Sequence, residues 1–165
     1  MDSNYYLKIF QNAADKIDKG MLARKELELA TGLYGDSVFL KLYKKSWANP
    51  SADLLTSPGR IFFSIWISDA DIAEEKLMYN VHALKLRLLK GYSIESRKFA
   101  DSFRLDFSAF KQQWPNVSLN YGPLTLMQGW IKLDPQKMQE EIIMLAHNFM
   151  ELAPLIDKTL AKFKR

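Results

Sequence analysis

Apolar residues recur at helical spacing in three parts of the chain, and the first lies near the N-terminus. In residues 3–19 the apolar positions share one helical face, which predicts a helix. Ser3 or Asn4 can cap its start, and Gly20 can end it in a left-handed turn. We therefore expect one helix here, with its apolar face against the core.

Residues 93–113 carry the clearest helical pattern. Four phenylalanines follow one another at spacings of four, four and three residues, so they lie on one face of an amphipathic helix. The pattern stops at Trp114-Pro115, because proline disfavours helical geometry in the residue before it. These rings are expected in the core: Phe99, Phe103, Phe107 and Phe110.

The third helical pattern starts after Asp134-Pro135 and continues almost to the C-terminus. Its apolar positions alternate by four and three residues, and they continue past Pro154. Proline inside a helix removes a backbone hydrogen bond and costs about 3 kcal/mol. We therefore predict a long C-terminal helix that is kinked or broken near Pro154.

Strand patterns occupy much of the remaining chain. Residues 38–47 alternate between apolar and polar positions as a half-buried strand does, and residues 124–133 predict another strand. Residues 60–68 are apolar at almost every position, which is typical of a strand buried on both faces at the centre of a sheet. Residues 21–33 fit a helix or a strand, and we favour the strand. The proline-containing stretch 48–59 predicts a loop.

Residues 68–91 fit two different structures. As a helix, the segment has acidic residues near its start, basic residues near its end and Gly91 as a stop. As a strand from Leu77 onward, it would pair with residues 60–68. We favour the helix and leave open that residues 69–90 are partly strand.

These elements predict a single α+β domain over residues 1–165. In this fold, helices cover an antiparallel sheet of about four to five strands. A chain of 165 residues has the usual length of one domain. No internal repeat or long linker divides the sequence.

The composition excludes several kinds of site and segment. The chain contains no cysteine, which excludes disulfides, zinc–thiolate sites and thiol nucleophiles. Charged residues interrupt every apolar run in the first twenty positions, so we expect neither a secretory signal nor a membrane span. The simplest expectation is a small soluble protein of the cytoplasm.

The net charge of +4 and the pI of about 9.2 are only mildly basic. Nucleic-acid binding therefore stays an alternative function, without the concentrated basic tracts of dedicated binders. Lys41, Lys44 and Lys45 beside Tyr43 and Trp47 could follow a phosphate backbone while bases stack on the rings. The other interpretation is an edge strand whose lysines prevent aggregation.

No motif for a nucleophile, a phosphate loop or a metal site is present. His82 and His147 each lack a second ligand at metal spacing, so we expect no metal and no cofactor. His82 lies at the edge of an apolar face whether its segment is helix or strand. A core-edge role is preferred, although His82 is also the one candidate for a general base if the protein is an enzyme.

The leading hypothesis is a non-catalytic binding domain for a protein partner or a small ligand. The connector between the phenylalanine helix and the last strand is rich in proline and asparagine, and loops often carry binding functions. Basic residues before and within the phenylalanine helix could hold an anion or nucleic-acid phosphates. The candidate contact residues are Trp114, Asn116, Asn120, Tyr121, Lys85, Arg97 and Arg104.

The C-terminal helix also predicts self-association. Several of its apolar residues lie outside the main apolar seam, so one sheet face cannot cover them all. Either the helix divides at Pro154, or a second copy buries the excess in a homodimer, which we favour. The residues in question are Ile143, Met144, Met150 and Leu155.

Overall fold

One antiparallel sheet organises the computed structural model, which describes residues 1–165. Its five strands lie side by side in chain order, so each pairs with the next as a meander, and β3 occupies the centre as the apolar pattern predicted. The strands are β1 Leu27–Tyr34, β2 Ser37–Ala48, β3 Arg60–Ile67, β4 Lys76–Leu84 and β5 Thr125–Lys132.

The long helices pack on one face of this sheet and on one another. None of the helices is long and apolar enough to cross a membrane. The combination of antiparallel sheet and helices confirms the predicted α+β class. The helices are α1 Ser3–Lys16, α2 Lys19–Arg24, α3 Asp69–Ala73, α4 Ser96–Phe107 and α5 Met138–Ala161.

Aromatic rings form the centre of the core between the sheet and α5. Phe63 of β3 stacks on Phe149 of α5 with 4.5 Å between ring centroids. Trp114 lies 4.7 Å from Phe149 and 5.1 Å from Tyr79 of β4. Such offset and tilted contacts add to the gain from burying the rings, so they fix α5 against the middle of the sheet.

The N-terminal segment differs from the predicted single helix. α1 ends at Lys16 because Ile17 turns to an extended conformation, with ψ 138°, and buries its side chain. Asp18 then caps the separate helix α2, and Gly20 lies inside α2 rather than at a helix end. The start also shifts, since Asp2 caps α1.

The preferred helix over residues 68–91 is wrong. The only α-helix there is α3, which Glu75 ends at a φ of 59°, and residues 86–88 form a short 3₁₀ turn. The following residues form β4, which pairs with β3 on one side and β5 on the other. Two ladders of hydrogen bonds and full burial of Leu77, Tyr79 and Val81 outweigh the helix-like charge pattern, which is a weak local preference.

Gly129 of β5 gives Tyr79 the space that its ring needs. A Cβ atom at Gly129 would lie 2.6 Å from Tyr79 Cζ. The Tyr79 hydroxyl continues past this position and donates a hydrogen bond to the Pro115 carbonyl at 2.6 Å. The register of the β4–β5 pair shifts between Val81 and His82, not at Gly129.

α5 continues through Pro154 to Ala161 without a break. It packs against α1 and α4 as well as the sheet, so most of its apolar circumference is covered within the chain. Met150 and Leu155 are buried and Ile143 is half-buried, while Met144 is 43% exposed. The apolar excess that motivated the homodimer is therefore largely buried, and the homodimer stays a prediction without that support.

Candidate functional site

The sheet face opposite the long helices, here called the open face, carries a row of large side chains. Strand pairing places one residue from each of four neighbouring strands directly opposite the next. All four are only half-buried, unlike the fully buried residues that face the helices. The row consists of Phe39, Trp66, Met78 and Trp130.

A polar network lies beside this row. Asn80 is 1% exposed, and its Nδ2 donates to Gln128 Oε1 and to His82 Nε2, both at 3.0 Å. Since Nε2 accepts, the proton of neutral His82 is assigned to Nδ1. Asn80 Oδ1 is buried and has no hydrogen-bond partner, whereas the Leu124 carbonyl interacts with the His82 ring and opposes the lowering of its pKa. Buried polar atoms without partners are rare and costly, so they mark this part of the open face as unusual.

His82 is neutral at physiological pH. Burial lowers the pKa of its imidazole to about 4, and the positive charges of Lys41 and Arg60 act in the same direction. Its ring packs against Phe62 with 5.0 Å between centroids. The predicted core-edge role of His82 agrees with this position.

The connection between β2 and β3, residues 49–59, forms one wall of a cavity on the open face. Asp53 caps its short 3₁₀ turn by accepting from Leu55 N at 3.0 Å. Asn49 fixes the start of the connection, accepting from Lys90 N and donating to the Leu88 carbonyl. The cavity is open to solvent, has a volume of about 610 Å³ and is lined by this turn and by strands β1 to β4.

Two cations line the cavity around one aromatic ring. Lys41 Nζ lies 4.8 Å from the Phe62 ring centroid and 4.5 Å from that of Phe39. The Arg60 guanidinium lies 5.6 Å from the same Phe62 centroid. Neither cation makes an ion pair with a carboxylate. The cavity therefore holds positive charge that only the rings partly stabilise.

Burial lowers the pKa of both cationic side chains. For Lys41 the repulsion from Arg60 lowers the pKa further, and the attraction of Asp53 opposes this effect. Arg60 is oriented by donating from Nη1 to the Ser57 carbonyl at 2.6 Å. Its Nε atom is buried and has no partner.

Of the four predicted contact residues of the connector, one lies in the core and three lie on the surface. Trp114 is 2% exposed and belongs to the aromatic core. Asn116 is exposed at a φ of 55° and donates to the Trp130 carbonyl. Asn120 and Tyr121 are exposed on the surface, and neither lines the cavity.

The predicted basic residues lie in two places. Arg104 donates to the backbone carbonyls of four residues between 121 and 126, so its guanidinium holds the connection to β5. Lys85 and Arg97 are exposed and lie outside the cavity. Burial and the charge of Arg97 lower the pKa of Arg104, so these two cations are near one another, whereas Lys85 lines a separate depression with Pro58 and Leu124.

The lysine and aromatic ribbon predicted in β2 is divided between the two faces. Lys44 forms an ion pair with Asp157 of α5 at 2.7 Å. Trp47 is fully buried and donates from Nε1 to the same carboxylate at 2.8 Å. Lys41 and Tyr43 lie on the open face instead, so only part of the predicted ribbon reaches the cavity.

Sequence reasoning missed most residues of the cavity, among them Arg60, Phe62 and Trp66. All three lie in residues 60–68, which read as a strand buried on both faces. The available indication was polar residues at alternate positions, since Arg60 and Ser64 share a face with Phe62 and Trp66. Alternation between polar and apolar residues is harder to recognise when large aromatic rings lie on the same face as the polar residues.

No group of histidine, aspartate or glutamate side chains is arranged to hold a metal ion. The chain matches no protein-family model, no curated protein and no solved structure. The cavity on the open face is accordingly the feature on which a function is proposed.

Proposed function

We propose that the protein is a non-catalytic binding protein that holds a small ligand with an apolar body in the cavity of the open face. The observation that carries this proposal is a cavity of about 610 Å³ lined by Phe39, Phe62 and Trp66. Ligand sites typically measure about 300–1,000 Å³ and combine apolar walls with a few polar groups. The half-buried rings of Phe39 and Trp66 and the buried ring of Phe62 supply those walls.

Binding without catalysis fits the one imidazole in the cavity. His82 would be the general base in an enzyme, but a pKa of about 4 makes it a weak base at neutral pH. Its Nε2 is already occupied by Asn80 rather than by a hydroxyl group that it could activate. These features support a binding function over catalysis.

The proposal places this binding in the cytoplasm. A chain without cysteine cannot use the disulfides that stabilise many secreted domains. The sheet and its covering helices form one contiguous apolar core, which supports a fold that needs no such crosslinks.

A neutral fluorophore tests the proposed site. N-phenyl-1-naphthylamine emits strongly in apolar surroundings, and we expect it to bind in the cavity. Trp66→Ala removes a ring from the wall and should weaken binding about tenfold, which corresponds to roughly 1.4 kcal/mol. Leu105→Ala is the matched control, because Leu105 is 76% exposed on α4 and outside the cavity. Absence of binding, or equal loss in both variants, would contradict the proposal.

Nucleic-acid binding is the second candidate, and the aromatic row of the open face favours it. Trp130 lies outside the cavity, and Lys76 Nζ lies 4.8 Å from its ring centroid. Stacking of a base on an aromatic ring is worth about 1–3 kcal/mol. If this candidate is right, Trp130→Ala will weaken single-stranded oligonucleotide binding in a salt series and leave the fluorophore affinity unchanged.

A further inference from the structure

We infer that the natural ligand of the cavity is an organic anion: an oxyanion group lies between Lys41 and Arg60, and its apolar body contacts Phe39 and Trp66. This inference rests on the proposed binding function and specifies the chemical class of the ligand. The oxyanion is a carboxylate or a phosphate, since both accept hydrogen bonds from these two cations.

The charges of the cavity are not balanced by the chain itself. Its ionised lining residues are Lys41, Arg60 and Asp53, which leaves an excess of positive charge because His82 is neutral. Asp53 is exposed, and its carboxylate accepts the Leu55 N–H within its own turn. An anionic ligand supplies the negative charge that is missing.

Another partly buried lysine shows what the chain does elsewhere. Lys44, three residues along the same strand, has Asp157 at 2.7 Å. Lys41 has no such partner, and the charge that affects its pKa most is the like charge of Arg60. Two like charges held near one ring destabilise the empty cavity, and an oxyanion between them reverses that repulsion.

The hydrogen-bonding groups are also placed for an oxyanion. The bond from Nη1 to the Ser57 carbonyl fixes the Arg60 guanidinium, so little side-chain freedom is lost when a ligand binds. Its buried Nε has no acceptor in the chain. The hydroxyl groups of Ser37 and Thr56 line the same cavity and can donate further hydrogen bonds.

The rings select against a purely inorganic anion. The Phe62 ring centroid lies 4.8 Å from Lys41 Nζ and 5.6 Å from the Arg60 guanidinium, Phe39 lies beside Lys41, and Trp66 adds to the apolar wall. An inorganic ion would leave these rings in contact with water, while a neutral apolar compound would leave the cations unpaired. A ligand with both parts satisfies both features of the wall.

Two fluorophores with the same ring system test the inference. 8-Anilinonaphthalene-1-sulfonate carries a sulfonate, which stands in for the oxyanion, and N-phenyl-1-naphthylamine lacks it. We expect the sulfonate compound to bind about tenfold more tightly to the wild type at low salt. Lys41→Met should move the ratio of the two affinities towards one, because it removes one of the two cations that the sulfonate contacts.

Two variants control for charge and for folding. Lys45→Met removes a cation from an exposed position of the same strand outside the cavity, so the preference should persist. Lys41→Arg keeps the charge at the cavity and should keep most of the preference. Neutral-probe binding in each variant shows that its cavity is intact.

The outcomes separate this inference from the proposed function. If both fluorophores bind equally and Lys41→Met changes neither, the organic-anion inference is wrong and the cavity still binds apolar compounds. If neither compound binds the wild type, both proposals are wrong. A preference that Lys45→Met removes as completely as Lys41→Met would also overturn the inference, because it would reflect overall charge.

Competition then identifies the oxyanion. Octanoate, octyl phosphate and octan-1-ol share one apolar chain and differ in the head group. We expect at least one of the two anions to displace the sulfonate fluorophore at a concentration about tenfold lower than octan-1-ol does. Displacement by all three at the same concentration would show that the head group is not recognised.

Discussion

Replacement of Asp157 by alanine should destabilise the protein by about 2–3 kcal/mol through two partners on β2. The side chain of Asp157 joins α5 to the sheet, accepting from Trp47 Nε1 at 2.8 Å and pairing with Lys44 Nζ at 2.7 Å. Trp47 is fully buried, so the variant leaves its N–H without an acceptor. An unsatisfied buried donor costs about 1–3 kcal/mol.

The ion pair adds less than the tryptophan bond. The Asp157 side chain is 41% exposed, so water screens its attraction to Lys44, and such pairs contribute at most about 1 kcal/mol. Asp157→Asn keeps a carbonyl oxygen for Trp47 and loses the charge together with the oxygen that accepts from Lys44. We therefore expect this variant to lose no more than about 1 kcal/mol.

Urea denaturation of the wild type and the two variants measures both effects, provided that the slope with urea stays constant. Trp47→Phe removes the donor, so Asp157→Ala should cost less in that background, and the difference gives the coupling between the two residues. A loss below about 0.5 kcal/mol for Asp157→Ala would refute this reasoning. An equal loss for Asp157→Asn would show that the charge, not the buried donor, dominates.

Three other outcomes are expected. In the folded protein the pKa of His82 is about 4, below its ordinary value of 6.5, so the unfolded chain binds a proton there at a higher pH than the folded chain does. The free energy of unfolding should therefore fall by up to about 3 kcal/mol as the pH drops from 6.5 towards 4. Denaturation curves of His82→Gln should show a weaker dependence on pH. Gly129→Ala forces a Cβ against the Tyr79 ring and should cost about 1–3 kcal/mol or more by thermal melting, whereas Gly122→Ala, with open space around it, should change little. Arg104→Lys cannot reproduce the bonds to four carbonyls, so amide hydrogen exchange should accelerate in the connection before β5 and remain unchanged in β3.

The elements that sequence reasoning found are those with strong periodicity of their own. The phenylalanine spacing in residues 93–113 located α4, and alternation in residues 38–47 located β2. β4 was missed because its apolar residues fit both periods, while acidic residues before it and basic residues after it resemble the ends of a helix. Pairing with β3 and β5 decided its structure, and such partners are not visible within the segment itself.

The candidate site was only partly predictable for a similar reason. Lys41 and His82 were noticed as a cation and an imidazole, but their proximity depends on the register of three strands. Arg60 was hidden at the start of an apolar run. The wall formed by residues 49–59 has no periodicity, since its shape depends on the bonds of Asn49 and the turn at Asp53.

The meander order of the sheet has a consequence for how the chain acquires its structure. Each strand pairs with the next one in sequence. Short connections join β1 through β4, and such local contacts form early and quickly, whereas residues 85–124 with α4 separate β4 from β5. The packing of α1 against α5 is different, because it joins opposite ends of the chain. A nascent chain can therefore pair its first strands as they emerge, but the helix-facing side of the sheet stays exposed to water until α5 is complete. Shortened chains that lack α5 should aggregate through that side.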